Sequence, residues 1–266
     1  MKKILKRIFP PIIFDLYRLF NKHKYGWFGE FSSWKDFDQY SIGYDNNEIL
    51  NKVRNSSLQV KKGAAKYERD GCLFEEINYS WPLLAGLMYA AAKSGGALKV
   101  LDFGGSLGST YYQNKIFIES FETVSWSIVE QQKFVDLGLR DFQSNYLKFY
   151  HSVDEAIKIN NPNILLLLSV IQYLEFPYKK LDSLLKNNFK YILIDRTPFS
   201  KKKEMLKLQK VNPSIYKASY PCWFFDEIKF INFFKNKNYS VKETFLSEEG
   251  ENNEYVFKGF ILEKNE

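Results

Sequence analysis

From residue 81 onward, short apolar runs alternate with longer amphipathic stretches. Positions 99–103, 126–130, 147–151, 164–169 and 191–195 are dense in branched and aromatic side chains, which predicts five strands. Between them, the stretches near 110–122, 131–142, 153–160 and 176–187 carry the wider apolar spacing of helices. Strands that alternate with helices join through right-handed crossovers, and the product is a parallel sheet covered by helices on both faces. Ile164–Leu168 is apolar at every position, the pattern of a central strand buried on both sides.

Either side of this core the rhythm differs. Trp81–Lys93 predicts a helix, with Pro82 suited to its first turn and Gly95-Gly96 to its end. A helix near 226–237 is followed by apolar runs at 239–246 and 255–263, separated by the acidic, turn-rich stretch 248–253. A parallel return needs a dozen or more residues, so strands joined so closely pair antiparallel. Lys201 to Lys203 reads as a solvated helix start. Residues 25–80 mix aromatics with Asp, Asn and Gly without a long period, which reads as a mainly helical N-terminal cap. The expected organisation is therefore a segment 1–24, a cap 25–80 and an α/β domain 81–266.

Charge separates the first segment from the rest. Seven cations against Asp15 give residues 1–24 six of the chain's seven net positive charges, so the body is nearly neutral and a general nucleic-acid binder is excluded. Ile4, Leu5, Ile8, Phe9 and their neighbours interleave with those cations. Two readings follow: a basic arm lying peripherally on anionic inner-membrane lipid, or a helix packed on the domain. Pro10-Pro11, Asp15 and Arg18 interrupt any signal-peptide core, and no uncharged run reaches the roughly 20 residues that span a bilayer. At 45% hydrophobic and 18% aromatic residues the chain can bury a core. Cys72 and Cys222 form no C-x-x-C pair, which points to a reducing, cytoplasmic setting. His23 and His151, the only histidines, argue against a histidine zinc site.

The chemistry concentrates where the first strand ends. Asp102-Phe103-Gly104-Gly105-Ser106-Leu107-Gly108 lies outside the carboxyl end of that strand, where doubly wound sheets bind ligands. Its spacing resembles the methyltransferase pattern D/E-x-G-x-G-x-G with Ser106 in place of the middle glycine. A dinucleotide fingerprint starting at Gly104 needs glycine at 106 and 109, and both are serine. Glu130 ends the second strand, where a carboxylate can accept hydrogen bonds from two ribose hydroxyls. The expected nucleoside-binding set is Asp102, Gly104, Gly105, Ser106, Gly108, Ser109, Glu130, Gln131, Ser169 and Gln172. The last two belong to the segment that leaves the fourth strand and flanks the glycine loop across the point where strand order reverses. Tyr173, in the same segment, reads equally as a pocket wall or a packed aromatic.

Several segments together resemble one family of predicted bacterial S-adenosylmethionine-dependent methyltransferases often associated with surface-polysaccharide gene clusters. They are 28–34, 41–45, 67–70, 79–84, 100–113 (VLDFGGSLGSTYYQ), 129–131 with Phe134-Val135, 168–174 (LSVIQYL), 194–199 (IDRTPF) and 215–223 (IYKASYPCW). The resemblance implies a Rossmann-like class I methyltransferase sheet, five parallel strands plus a terminal antiparallel pair, S-adenosylmethionine as cofactor, and a sugar or related acceptor. A hydroxyl acceptor needs its proton removed, and the candidates at the correct sheet edge are Tyr173, Glu175 and Asp195. Arg196 can pair with Asp195 or bind an acidic sugar or phosphate. Gln113 and an aromatic wall of Tyr79, Trp81, Tyr216, Tyr220 and Trp223 are the expected acceptor contacts. Two competing functions are a non-catalytic cofactor-binding scaffold at the inner membrane and an NAD-dependent oxidoreductase, the latter disfavoured by the glycine spacing and the terminal hairpin.

Overall fold

The computed structural model describes residues 24–37 and 47–266. All but the last residue of the basic segment 1–24, and the stretch 41–45, lie outside the described residues. In chain order the elements are β1 (Gly26–Phe31), a 3-10 turn (Trp34–Phe37), α1 (Asn47–Lys61), β2 (Tyr67–Arg69), β3 (Cys72–Phe74), α2 (Trp81–Lys93), β4 (Ala97–Phe103), α3 (Ser109–Ile118) and β5 (Thr123–Val129). They continue with α4 (Gln132–Asp141), β6 (Leu147–Tyr150), α5 (Val153–Asn160), β7 (Ile164–Leu168), a second 3-10 turn (Ile171–Tyr173), α6 (Pro177–Leu185) and β8 (Tyr191–Ser200). The last are β9 (Met205–Lys210), β10 (Ser219–Phe224), α7 (Glu227–Lys235), β11 (Tyr239–Glu251) and β12 (Tyr255–Lys264).

Seven strands form the main sheet in the order β11-β12-β8-β7-β4-β5-β6. The neighbours from β8 through β6 pair in parallel, whereas β12 is antiparallel to β8 and to β11. Side chains alternate across each strand, so the sheet feeds two cores. Val100, Trp126, Ile128 and Leu166 pack with Leu87 of α2, Tyr111 of α3 and Phe134 of α4. Leu101, Leu165, Leu167, Ile192 and Ile194 pack with Ala156 of α5, Leu181 of α6 and Phe230 of α7 on the other face. All five residues of β7 are buried, as its unbroken apolar run requires.

Strand order reverses between β4 and β7. Successive strands run outward from β4 through β5 and β6 on one side, and from β7 through β8 on the other. Such a reversal opens a crevice at the carboxyl ends of the strands, here Phe103, Val129, Leu168 and the middle of β8.

Three expectations change. Among the described residues before 81, strands stand beside helix α1: β1 pairs antiparallel with β9, which pairs with β10, and β2 and β3 form a hairpin. The partner of β1 lies in a distant part of the chain, so no local period announces it. Lys201 to Lys203 form a bend that leads into β9, with the Lys201 N–H on the Glu254 carbonyl at 2.8 Å. The fifth parallel strand continues beyond Asp195 to Ser200 through a bulge: Ile194 faces Phe260 and Thr197 faces Lys258, so Asp195 and Arg196 together oppose Gly259.

Candidate functional site

In the loop from β4 to α3, left-handed residues alternate with ordinary ones. Gly104 has φ +79°, Ser106 +53° and Gly108 +94°. Glycine adopts this conformation without penalty, whereas a serine there costs about 1–2 kcal/mol. Ser106 therefore keeps the conformation that the pattern's middle glycine would hold. Gly105 is held against Asp102, because a Cβ at 105 would stand 2.5 Å from the Asp102 carboxyl carbon. Asp102 is itself 1% exposed and accepts the indole N–H of Trp126 at 3.0 Å. Burial pushes its carboxyl up to about 7, against the opposing pull of that hydrogen bond and of the Arg196 charge.

At the end of β5, the half-buried Glu130 accepts the Gln131 N–H at 2.5 Å. Burial raises its carboxyl above the ordinary range, while the backbone N–H groups of Gln131 and Ser106 favour the ionised form. Loop and acid are thus brought together by the backbone of Ser106. Gln131 is exposed and caps α4. Ser109 turns the other way: its hydroxyl donates to the buried Glu68, which also accepts the Gly71 N–H at 3.2 Å and so fastens the β2–β3 turn to α3.

The segment leaving β7 does flank the loop, since a Cβ on Gly104 would lie 2.5 Å from a methyl of Val170. Ser169, left-handed at φ +56°, donates its N–H to the Asp195 carbonyl at 3.0 Å. Gln172 is fully buried, and its amide nitrogen reaches Ser169 Oγ at 3.1 Å and the Arg196 carbonyl at 3.0 Å. These two residues brace the β8 bulge. Tyr173 donates its hydroxyl to Gln209 at 2.8 Å and meets Tyr220 edge-on, ring centroids 5.1 Å apart. Burial holds its hydroxyl well above the usual tyrosine range, so it is neutral. Glu175 follows on the exposed surface, outside the cleft lining.

That cleft lies over the bulge and is lined by Asp195, Arg196, Ser80, Gln113, Thr110 and Arg69 among others. Asp195 is 4% exposed and accepts from three donors: the Arg196 N–H at 2.7 Å and Ser247 Oγ at 2.6 Å on one oxygen, and Ser80 Oγ at 3.0 Å on the other. It ties the start of α2 and β11 to the bulge. Arg69 donates to Glu248 at 2.9 Å and to the Tyr67 hydroxyl at 3.1 Å. Glu249 lies 4.0 Å from the Arg69 guanidinium, and desolvation raises its carboxyl against the pull of Arg196 and Arg69. Gln113, buried on α3, donates to the Asn78 carbonyl.

Of the aromatic residues expected to wall the pocket, Tyr79 and Trp81 share one ring cluster with Phe117, and Tyr220 meets Tyr173. Tyr79 and Trp81 stack with Phe117 at 5.0 Å between the first pair and 5.4 Å from Tyr79 to Phe117, and Trp81 remains 60% exposed. Tyr216 is buried, Tyr220 leans on Tyr173, and Trp223 donates its indole N–H to the Leu174 carbonyl at 3.1 Å. Sequence reasoning missed Ser80, Thr110, Ser247, Glu248 and Glu249. Ser80 precedes Pro82 as a helix-start serine, but nothing local marks its hydroxyl for Asp195, and Ser247 arrives on a distant strand.

No protein-family model and no curated protein sequence matches the chain. Among solved structures, the N-terminal domain of EvdMO1 with SAH bound aligns over 83% of this chain and 98% of its own, at TM-score 0.50 and 12% identity. A S-adenosylmethionine-dependent methyltransferase from Clostridium acetobutylicum ATCC 824 aligns over 81% and 99% at TM-score 0.49 and 9% identity. Magnesium protoporphyrin IX methyltransferase (ChlM) from Synechocystis PCC 6803 with bound SAH aligns over 100% of both chains at TM-score 0.45 and 10% identity. At 12% identity the likeness to the EvdMO1 domain is one of architecture, and with the strand order above it gives this chain a methyltransferase-like α/β fold.

Proposed function

We propose that this chain is an S-adenosylmethionine-dependent methyltransferase whose acceptor is a sugar or related component of a surface polysaccharide. The observation that carries the reading is the junction of loop and acid: a left-handed Ser106, two residues from the left-handed Gly104 on one side and Gly108 on the other, with its N–H turned to the Glu130 carboxylate at the ends of adjacent parallel strands. Glu130 is placed to accept two ribose hydroxyls, and the bare backbone at Gly104 and Gly105 lets a ligand approach closely. When bound, the donor supplies an electrophilic methyl group on a sulfonium centre. What the protein must then do is orient the acceptor in line with it.

Asp195, engaged by three donors, is a positioning residue that fixes the floor of the cleft and does not take the acceptor proton. Tyr173, neutral and hydrogen-bonded, is a wall. The exposed face of Trp81, backed by the half-buried Tyr79, suits a sugar ring, whose C–H groups stack on aromatic surfaces, and it supports a glycan acceptor at the rim.

Titration calorimetry with S-adenosylhomocysteine tests the reading, with NADH as the competing ligand. Binding of the first and not the second is expected. Glu130→Ala should weaken it about ten- to a hundredfold, since hydrogen bonds to a charged acceptor contribute roughly 1.5–3 kcal/mol. Folded protein with no affinity for S-adenosylhomocysteine would refute the proposal.

A further inference from the structure

We propose that Arg196 is a carboxylate clamp, its guanidinium taking a carboxylate of the ligand that lies across the carboxyl edge of the sheet; this rests on the methyltransferase reading. The first support is the backbone. Arg196 is left-handed at φ +54°, a conformation that costs a long side chain about 1–3 kcal/mol and persists only when the surroundings over-determine it. They do so here. Its N–H lies 2.7 Å from Asp195 Oδ1 and 3.0 Å from Ser247 Oγ, and its carbonyl accepts from the buried Gln172 at 3.0 Å. Bulges beside functional clefts re-aim a side chain, and this one delivers Arg196 to the cleft lining.

The second support is what the guanidinium does not do. Among the described residues it makes no side-chain hydrogen bond and no ion pair, although Asp102 and Glu249 both feel its charge. The other ionic groups around it are committed: Asp195 to three donors, and Arg69 to Glu248 and Tyr67. A guanidinium offers five donors in a planar fork that matches a carboxylate bidentately. Held at the floor of a cleft with those donors free, it has the chemistry of a binding group.

Position indicates which carboxylate. Glu130 directly follows β5 and Arg196 lies on β8, three strands along the order β5-β4-β7-β8, or about 14 Å at the usual strand spacing. A donor whose ribose sits on Glu130 carries its amino-acid carboxylate at its far end, in the direction of Arg196. An acidic sugar on the acceptor is the other source of the same chemistry.

The test is calorimetry on the full chain with three probes: S-adenosylhomocysteine, 5′-methylthioadenosine, which lacks the amino-acid end, and D-glucuronate added to protein saturated with S-adenosylhomocysteine. Arg196→Gln removes the charge but keeps the backbone demand, Arg196→Lys restores a point charge, and urea unfolding verifies that both fold. The expected result is S-adenosylhomocysteine binding weakened about ten- to a hundredfold in Arg196→Gln and partly recovered in Arg196→Lys, with methylthioadenosine unchanged. Loss of glucuronate binding alone assigns the clamp to the acceptor. Unchanged affinity for both carboxylates in Arg196→Gln overturns the clamp while leaving the methyltransferase reading intact. Failure of wild-type protein to bind S-adenosylhomocysteine overturns both.

Discussion

Replacing Asp102 with asparagine should make the protein more stable at alkaline pH, and the size of the gain can be worked from the site. The carboxyl is fully buried behind Gly105, with the Trp126 N–H donating to it and its ordinary value of 3.8 raised to about 7. Because the folded-state value is raised, the folded protein holds a proton between these limits that the unfolded chain has released. Stability is therefore highest below about pH 4 and falls as pH rises through 7. At 1.36 kcal/mol per pH unit the full window is worth about 4 kcal/mol, of which about 3 kcal/mol falls between pH 5 and pH 8. Asparagine keeps the shape and an oxygen for Trp126 but has no such titration. Urea unfolding of both proteins at pH 5, 6, 7 and 8, with matching m-values, should show the difference moving by about 3 kcal/mol in favour of Asp102→Asn. A difference that stays constant across that range would refute the reasoning. In Arg196→Gln the transition should move to higher pH, since the lost guanidinium lowers the Asp102 value.

Other perturbations probe the loop and the bulge. Ser106→Val places a β-branched side chain at φ +53°; a loss of about 1–3 kcal/mol in urea unfolding is expected, with weaker S-adenosylhomocysteine binding, whereas Ser106→Gly should retain both. Ser247→Ala removes a donor from the buried Asp195 carboxylate and a contact from the Arg196 N–H. It should cost about 1–3 kcal/mol, and an unchanged unfolding midpoint would show that Ser247 does not hold the bulge.

Much of the architecture is written locally. The unbroken apolar run of β7, the alternation around it and the short link between β11 and β12 decide their own burial and pairing, because periodicity and turn length act over a few residues. The placement of the Asp102 to Gly108 loop and of Glu130 at strand ends was legible for the same reason: each strand end is defined by its own neighbours in the chain. Tertiary structure decided the rest. The pairing of β1 with β9, the bulge at Asp195 and Arg196, and the contact of Tyr220 with Tyr173 depend on which distant segments meet. Whether Asp195 is a free carboxylate or an occupied one, and whether Arg196 is paired or free, follows from donors that Ser80, Ser247 and Gln172 bring from elsewhere in the chain. Hydrogen-bond saturation belongs to the assembled site, so a residue's identity shows what it can bind but not whether a neighbour already occupies it.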